Sequence, residues 1–240
     1  MNAFRLMPLA VLSLGAWAQP VRVFSEFARL DAKGNVTSPA RPREILSPAL
    51  ARNAYTSFQV SVQPDGEKLW ALHIGQNPEN AVRVEMYREN GDRLERVELP
   101  VSGTGAQVLW MDVWADNAAP VERIKIEPQL FLDNDWVIYP MEARIMDARV
   151  PAGARPPAVA LAPMEVMRGF LCTAPAATAA SASAPTSIPA LRFRNAQQDL
   201  ALAARAPRAE LQKLFGSCEA PLPSNPEAYY PIRDYLFKLR

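Results

Sequence analysis

The amino-acid sequence predicts a mainly β protein: an antiparallel, immunoglobulin-like β-sandwich, then an Ala/Pro/Ser/Thr-rich linker and a short helical C-terminal tail. Apolar and polar residues alternate in short runs between positions 21 and 150, and turn signals separate the runs. No helical pattern intervenes among them, which is typical of a sandwich. The 23 prolines against 10 glycines also disfavour long helices.

Residues 1–18 have the layout of a secretory signal peptide. A positive segment at 1–5 precedes an uncharged, mostly apolar run at 6–17, and Ala16-Trp17-Ala18 gives a small-x-small pattern for cleavage before Gln19. A membrane anchor is the alternative, but the run falls well short of the roughly 20 residues that span a bilayer. We therefore expect an exported protein, periplasmic or extracellular, with no stable membrane span.

Residues 19–150 are predicted to form about eight or nine short strands. The segments 55–63, 81–88 and 121–127 alternate clearly. Asn90-Gly91-Asp92 follows the second of them and is a strong hairpin signal. Segments 68–74, 107–114 and 136–150 supply further strands.

The composition changes after position 150. Segment 151–163 is rich in Ala and Pro, 164–172 is predicted to form a short helix, and 173–190 consists of Ala, Pro, Ser and Thr except for Ile188. This composition lacks the apolar bulk for a core, so 151–190 is predicted to be an Ala/Pro-rich segment with a low-complexity linker.

Short helices are predicted in the tail, 191–240. Asn195 would cap one, Pro207 would open another that Gly216 ends, and Asn225 would begin the last. The last helix carries an apolar stripe of Ile232, Tyr235, Leu236 and Leu239. Such a short helix needs a surface to pack on, and the sandwich is the expected one.

Charge and composition exclude several functions. The 26 Lys+Arg against 25 Asp+Glu leave no cationic excess for non-specific nucleic-acid binding. One histidine and two cysteines disfavour a multi-ligand metal or haem site, so no cofactor and no metal is expected. His73 is interpreted as an ordinary strand residue, and the Asp133-Asn134-Asp135 cluster as a turn rather than a calcium site.

Segment 107–114 carries the candidate binding residues. Leu109 faces the predicted core, while Trp110, Asp112 and Trp114 share the opposite side of the strand. The two indoles would lie about 13 Å apart, enough to underlie adjacent units of a glycan. The alternative is that the C-terminal helices cover this side and make the tryptophans a second core layer.

Two stretches resemble the accessory β-sandwich domains of secreted glycosidase-like bacterial proteins. Segment 51–60, Ala-Arg-Asn-Ala-Tyr-Thr-Ser-Phe-Gln-Val, is similar to their Arg-Asn-Glu-x-x-Ser-Phe-Gln strand, with Ala54 in place of Glu. Segment 109–120 is similar to their Trp-x-Asp-x-x-Val-Pro segment but lacks the Pro-Gly-x-Tyr turn. The resemblance covers residues 45–150 and implies an exported accessory sandwich. It implies no hydrolase activity, because no catalytic barrel accompanies it.

Cys172 and Cys218 are predicted to form a disulfide. An exported protein with two cysteines, neither in a metal or nucleophile motif, most simply pairs them. Two buried thiols or an intermolecular bridge are the alternatives.

The leading functional hypothesis is an exported non-catalytic interaction or accessory module with an unknown protein or glycan partner. A carbohydrate-binding module using Trp110 and Trp114 is the alternative. A hydrolase comes third, since it needs paired carboxylates in a cleft.

Overall fold

The computed structural model describes residues 19–151, 162–173 and 185–240, and over these ranges the protein is mainly β, as predicted. Two sheets pack face to face around a shared apolar core. The predicted signal peptide at 1–18 and most of the predicted low-complexity linker lie outside the described residues.

The first sheet has five strands in the order β1-β3-β8-β5-β6, each antiparallel to its neighbours. Its strands are β1 Val21–Ser25, β3 Ala54–Val62, β5 Arg83–Asn90, β6 Arg93–Val97 and β8 Gln107–Ala115. The predicted hairpin joins β5 to β6. Its two-residue loop is Gly91-Asp92, and Gly91 takes a φ of 59°, which a residue without a Cβ adopts most easily.

The second sheet follows the order β2-β11-β9-β4-β7, and β10 also pairs with β9. Its strands are β2 Ala49–Arg52, β4 Leu69–Asn77, β7 Val101–Thr104, β9 Arg123–Leu132, β10 Asp135–Ile138 and β11 Glu142–Arg149. Among the described strands of this sheet, only β2 and β11 pair in parallel. Asp133 and Asn134 form the β9–β10 turn with φ of 54° and 63°, so this cluster makes a turn as predicted.

The predicted alternation identifies the core residues correctly, but the polar residues that it predicts to be exposed are not all exposed. Phe58 of β3 and Met111 of β8 are completely buried between the sheets. On the other side of β3, however, Ser57, Gln59 and Ser61 are buried as well. The outer side of the five-stranded sheet is therefore a second interior, covered by helices and by the loop that follows β1.

The helices form this covering layer. They are α1 Pro163–Cys172, α2 Ile188–Ala203, α3 Arg208–Phe215, the 3₁₀ helix Pro226–Tyr229 and α4 Tyr230–Phe237. The longest, α2, lies against β2, β3 and β11. Gly216 ends α3 at a φ of 88°, and the Asn225 side chain caps the 3₁₀ helix, as predicted. Ile232 of α4 is completely buried in the apolar cluster beneath these helices.

Two sequence-based expectations about α2 are wrong. The helix begins at Ile188, so the end of the predicted linker is helical. The Ser187 hydroxyl accepts a hydrogen bond from the Ala190 N–H at 3.4 Å, and Pro189 occupies the first turn. Asn195 is not a cap: it lies in the middle of α2 and is completely buried. Its amide N–H groups donate hydrogen bonds to Glu26 and Ser57, which offsets the free-energy cost of burying a polar side chain.

The predicted disulfide between Cys172 and Cys218 is present, with Cα atoms 5.7 Å apart. It joins the end of α1 to the segment after α3, across 46 positions of sequence. The bond therefore connects two parts of the helical layer.

Candidate interaction surface

The side of β8 with the predicted binding residues faces the helical layer. Trp110 is 2% exposed and packs against Leu191 of α2. Its indole N–H donates to Glu89 at 3.4 Å. Trp114 is half-buried, with its ring 4.5 Å from that of Tyr55. Of the three predicted binding residues, α2 therefore covers Trp110 and Asp112, and only Trp114 keeps part of its side chain exposed.

Asp112 is also buried, and its partners are internal. Its carboxylate accepts a hydrogen bond from the Ser57 hydroxyl at 2.6 Å and pairs with the Arg194 guanidinium at 2.5 Å. The guanidinium also lies over the Tyr55 ring, 3.8 Å from its centroid. Burial raises the pKa of Asp112, and the Arg194 charge opposes that shift. Asp112 thus attaches α2 to the sheet.

A second buried ion-pair group joins three elements. Arg233 of α4 pairs with Glu26, which follows β1, at 2.7 Å and with Asp199 of α2 at 2.8 Å. Asn195 donates to Glu26 at 2.6 Å and to Ser57 at 2.8 Å, which connects this group to Asp112. Burial raises the pKa of Glu26 and of Asp199, while Arg233 acts in the opposite direction on both. Burial alone would lower the pKa of Arg233, but the two carboxylates together raise it, so we assign it as charged.

These carboxylates are inaccessible to solvent in this arrangement. Glu26 and Asp199 are completely buried and Asp112 is 1% exposed. A general acid or base must reach the proton that it transfers, directly or through one water. The observed arrangement instead holds the helices in register on the sandwich.

The outer side of the six-stranded sheet is different. Here β4, β9 and β10 expose side chains that we call the open face: Leu69, His73, Phe131, Trp136 and Ile138. The Trp136 ring lies 5.1 Å from Phe131 and 5.1 Å from His73, measured between centroids. Trp136 remains 48% exposed, Ile138 49% and Leu69 79%.

The largest apolar patch at the surface of a soluble protein is often a functional one, which makes the open face the candidate interaction surface. Sequence reasoning missed the open face. Trp136 was recognised only as part of a strand, since alternation does not reveal which side of a sheet the rest of the chain covers. The only local signal was the pair of large apolar residues, Trp136 and Ile138, two apart and next to a turn.

A cleft of about 530 Å³, which we call the polar cleft after its charged and amide side chains, lies between the loop that follows β1 and strands β3, β5 and β8. Asp31, Gln59, Glu89, Gln107 and Val108 are among its lining residues. Both oxygens of Asp31 accept hydrogen bonds from Lys33 or Asn35, which lower its pKa. Glu89 accepts from Trp110, so the cleft adjoins the strand side that was predicted to bind a glycan.

Within the described ranges, no cluster of three or more His, Cys, Asp or Glu side chains is placed to hold a metal ion. No helix in the same ranges is long and apolar enough to cross a membrane.

Comparisons with known proteins give only distant structural similarity. No protein-family model and no curated protein matches the chain. Among solved structures, a family 123 glycoside hydrolase from Clostridium perfringens, studied for glycolipid glycan hydrolysis, is similar over 55% of this chain, with 8% identity and a TM-score of 0.40. The match covers 28% of that chain. SSP-19, an MSP-domain protein like family member of Caenorhabditis elegans, is similar over 42% of this chain and 94% of its own, with 14% identity and a TM-score of 0.26. At these TM-scores neither similarity assigns a function.

Proposed function

We propose that this chain is an exported, non-catalytic interaction or accessory module with an immunoglobulin-like sandwich, and that it binds its partner through the open face. One observation carries the proposal: helices cover the outer side of the five-stranded sheet and pack on β2 and β11 of the other sheet, while β4, β9 and β10 of that other sheet expose two aromatic and two aliphatic side chains together. Exposing them to water is unfavourable unless a partner covers them.

Aromatic side chains favour this interpretation. Tryptophan and phenylalanine are enriched at the centres of protein interfaces, where each contributes a large rigid contact area. The Trp136 ring contacts the rings of both Phe131 and His73, and Ile138 lies further along the same strand, so Trp136 links the aromatic and aliphatic side chains of the open face. The polar residues around it, including the Lys68–Asp133 ion pair at 2.6 Å, supply the hydrated rim that such interfaces have.

Export is supported by the signal-peptide pattern and by the disulfide, which persists in oxidising compartments. A non-catalytic role is supported by the burial of the paired carboxylates, which belong to the interface between helices and sheet.

Site-specific photo-crosslinking in the producing cell tests the proposal. A photoreactive amino acid at Leu69 should give a discrete crosslinked product, and Trp136→Ala should abolish it. The same amino acid at Leu214, an equally apolar and 41% exposed position on α3, is the matched control and should give no such product. Equal products from both positions, or persistence of the product in Trp136→Ala, would contradict binding through the open face.

A glycan is the second candidate ligand, and the polar cleft is the observation in its favour. Its volume of about 530 Å³ lies within the range of small-molecule sites. Gln59 is held by hydrogen bonds to two backbone carbonyls, which fixes its amide oxygen for accepting from a hydroxyl. A glycan-array screen of protein beginning at Gln19, with Glu89→Ala as the control, tests this candidate. Specific glycan binding that Glu89→Ala removes would support it.

A further inference from the structure

The hydrogen-bond pattern of β10 shows which of its backbone groups face away from the sheet. The Tyr139 N–H donates to Pro128 at 2.8 Å, and the Ile126 N–H donates to Met141 at 3.0 Å. Tyr139 and Met141 therefore direct their backbone groups toward β9. Because these directions alternate along an antiparallel strand, the groups of Trp136 and Ile138 point outward, to the free edge.

The same edge is occupied further along the chain. The Glu142 N–H donates to Leu46 at 2.9 Å and the Arg144 N–H to Pro48 at 2.9 Å, and β2 continues this pairing along β11. Alongside β10, the described residues provide no such partner for Ile138. The Trp136 N–H donates a hydrogen bond to the adjacent Asp135 carboxylate at 2.8 Å. Segment 46–52 thus pairs with the edge of β11, whereas no described segment pairs with the same edge of β10.

We propose that an extended segment of a partner protein adds to this edge as a further strand beside β10, and that its alternate side chains pack on Trp136 and Ile138. This inference rests on the proposed function and names the kind of partner that it requires. The residues with outward backbone groups are the same ones whose side chains lie on the open face, so one strand can use both. Backbone hydrogen bonds would supply affinity and the apolar contacts specificity.

The size of the surface favours an extended segment over a second copy of the chain. Trp136 and Phe131 are 48% and 37% exposed. At roughly 150–250 Å² for a whole aromatic side chain, these two rings together expose about 130–210 Å². A stable interface between folded proteins needs about 800 Å² from each partner.

Charge adds a second property of the segment. Asp133 is neutralised by Lys68, whereas Asp135 is paired with no cation in the described structure. The segment that fits is therefore apolar at alternate positions and carries a basic residue where it passes Asp135.

The test uses the disulfide-bonded chain beginning at Gln19 and a phage-displayed library of random linear peptides. Selected peptides should show alternating apolar residues with an adjacent Lys or Arg. Trp136→Ala should weaken their binding at least tenfold. Ile138→Pro should do the same, because it removes an outward N–H while leaving the β9 hydrogen bonds intact. Ile138→Val retains the N–H and should bind within about threefold of the original protein.

Amide hydrogen exchange of the original protein gives an independent readout that does not depend on the folding of any variant. Adding a selected peptide should slow exchange at Ile138. One outcome would overturn strand addition and leave the proposed function standing. In that outcome Trp136→Ala abolishes peptide binding, Ile138→Pro does not weaken it, and the peptide does not slow exchange of the Ile138 amide. Three other outcomes would each overturn the inference. The library yields no binding peptide, the selected peptides bind both variants as tightly as the original protein, or the protein forms a dimer that Trp136→Ala dissociates.

Discussion

At the scale of single residues, Arg194 shows how the helical layer is attached. Its side chain is 4% exposed and pairs with Asp112, whose carboxylate has no other cation at hydrogen-bonding distance in the described structure. Removing one partner from a buried ion pair leaves the other charge uncompensated, which costs far more than breaking an exposed pair.

We predict that Arg194→Met lowers the free energy of unfolding by about 3–5 kcal/mol at neutral pH. The exposed pair between Arg123 and Glu142 provides the control, since Arg123→Met should cost less than about 1 kcal/mol. Urea denaturation of both variants measures the difference. Equal losses would show that Asp112 does not depend on Arg194.

The pH dependence of Arg194→Met follows from the raised pKa of Asp112. Without Arg194 that pKa rises further above the unfolded value of about 3.9. A carboxyl whose pKa is higher in the folded state stabilises the fold less as pH rises through the interval between the two values. The loss caused by Arg194→Met should therefore shrink as the pH falls toward about 4. A loss that grows on acidification would contradict this sign.

At the scale of elements, the sequence predicted the turns and helix ends that are marked by local turn and cap residues. The Asn-Gly signal located the β5–β6 hairpin, and the cap residues located α3 and the 3₁₀ helix before α4. It misplaced the start of α2 because that helix buries polar side chains, among them Asn195 against the sheet and Asp199 against α4. Its pattern therefore lacks the apolar stripe by which amphipathic helices are recognised.

The disulfide is predicted to stabilise the helical layer. Chain-entropy reasoning for a loop of 46 positions gives about 4 kcal/mol as an upper figure. The double variant Cys172→Ser/Cys218→Ser should lose up to this amount in chemical denaturation. A reductant should destabilise the original protein and leave the double variant unchanged. An unchanged denaturation midpoint in the double variant would contradict the prediction.

Deleting residues 225–240 should lower the melting temperature by many degrees or cause aggregation. The deletion removes Ile232 and Leu236, which are completely buried and contribute roughly 1.5–3 kcal/mol each before entropy is subtracted. It also removes Arg233, leaving Glu26 and Asp199 without their shared cation. Calorimetry measures the change. An unaltered thermal transition would mean that α4 is not part of the cooperative fold.

At the scale of the whole molecule, the sequence could predict the sandwich but not which of its two outer sides is accessible. Trp110 and Trp136 both lie in short uninterrupted apolar runs, at 108–111 and 136–139, and such runs do not show which side of a sheet the rest of the chain covers. The difference arises from α2, which follows both in sequence and packs over the Trp110 side. Long-range packing of this kind leaves no trace in local periodicity.

Hydroxyl-radical footprinting of the tryptophans tests binding through the open face most directly. In the purified protein, we predict rapid oxidation of Trp136 and protection of Trp110, which are 48% and 2% exposed. In the native compartment of the producing cell, a bound partner should protect Trp136 as well and leave Trp110 unchanged. Oxidation of Trp136 at the same rate in both settings would contradict the proposed role of the open face.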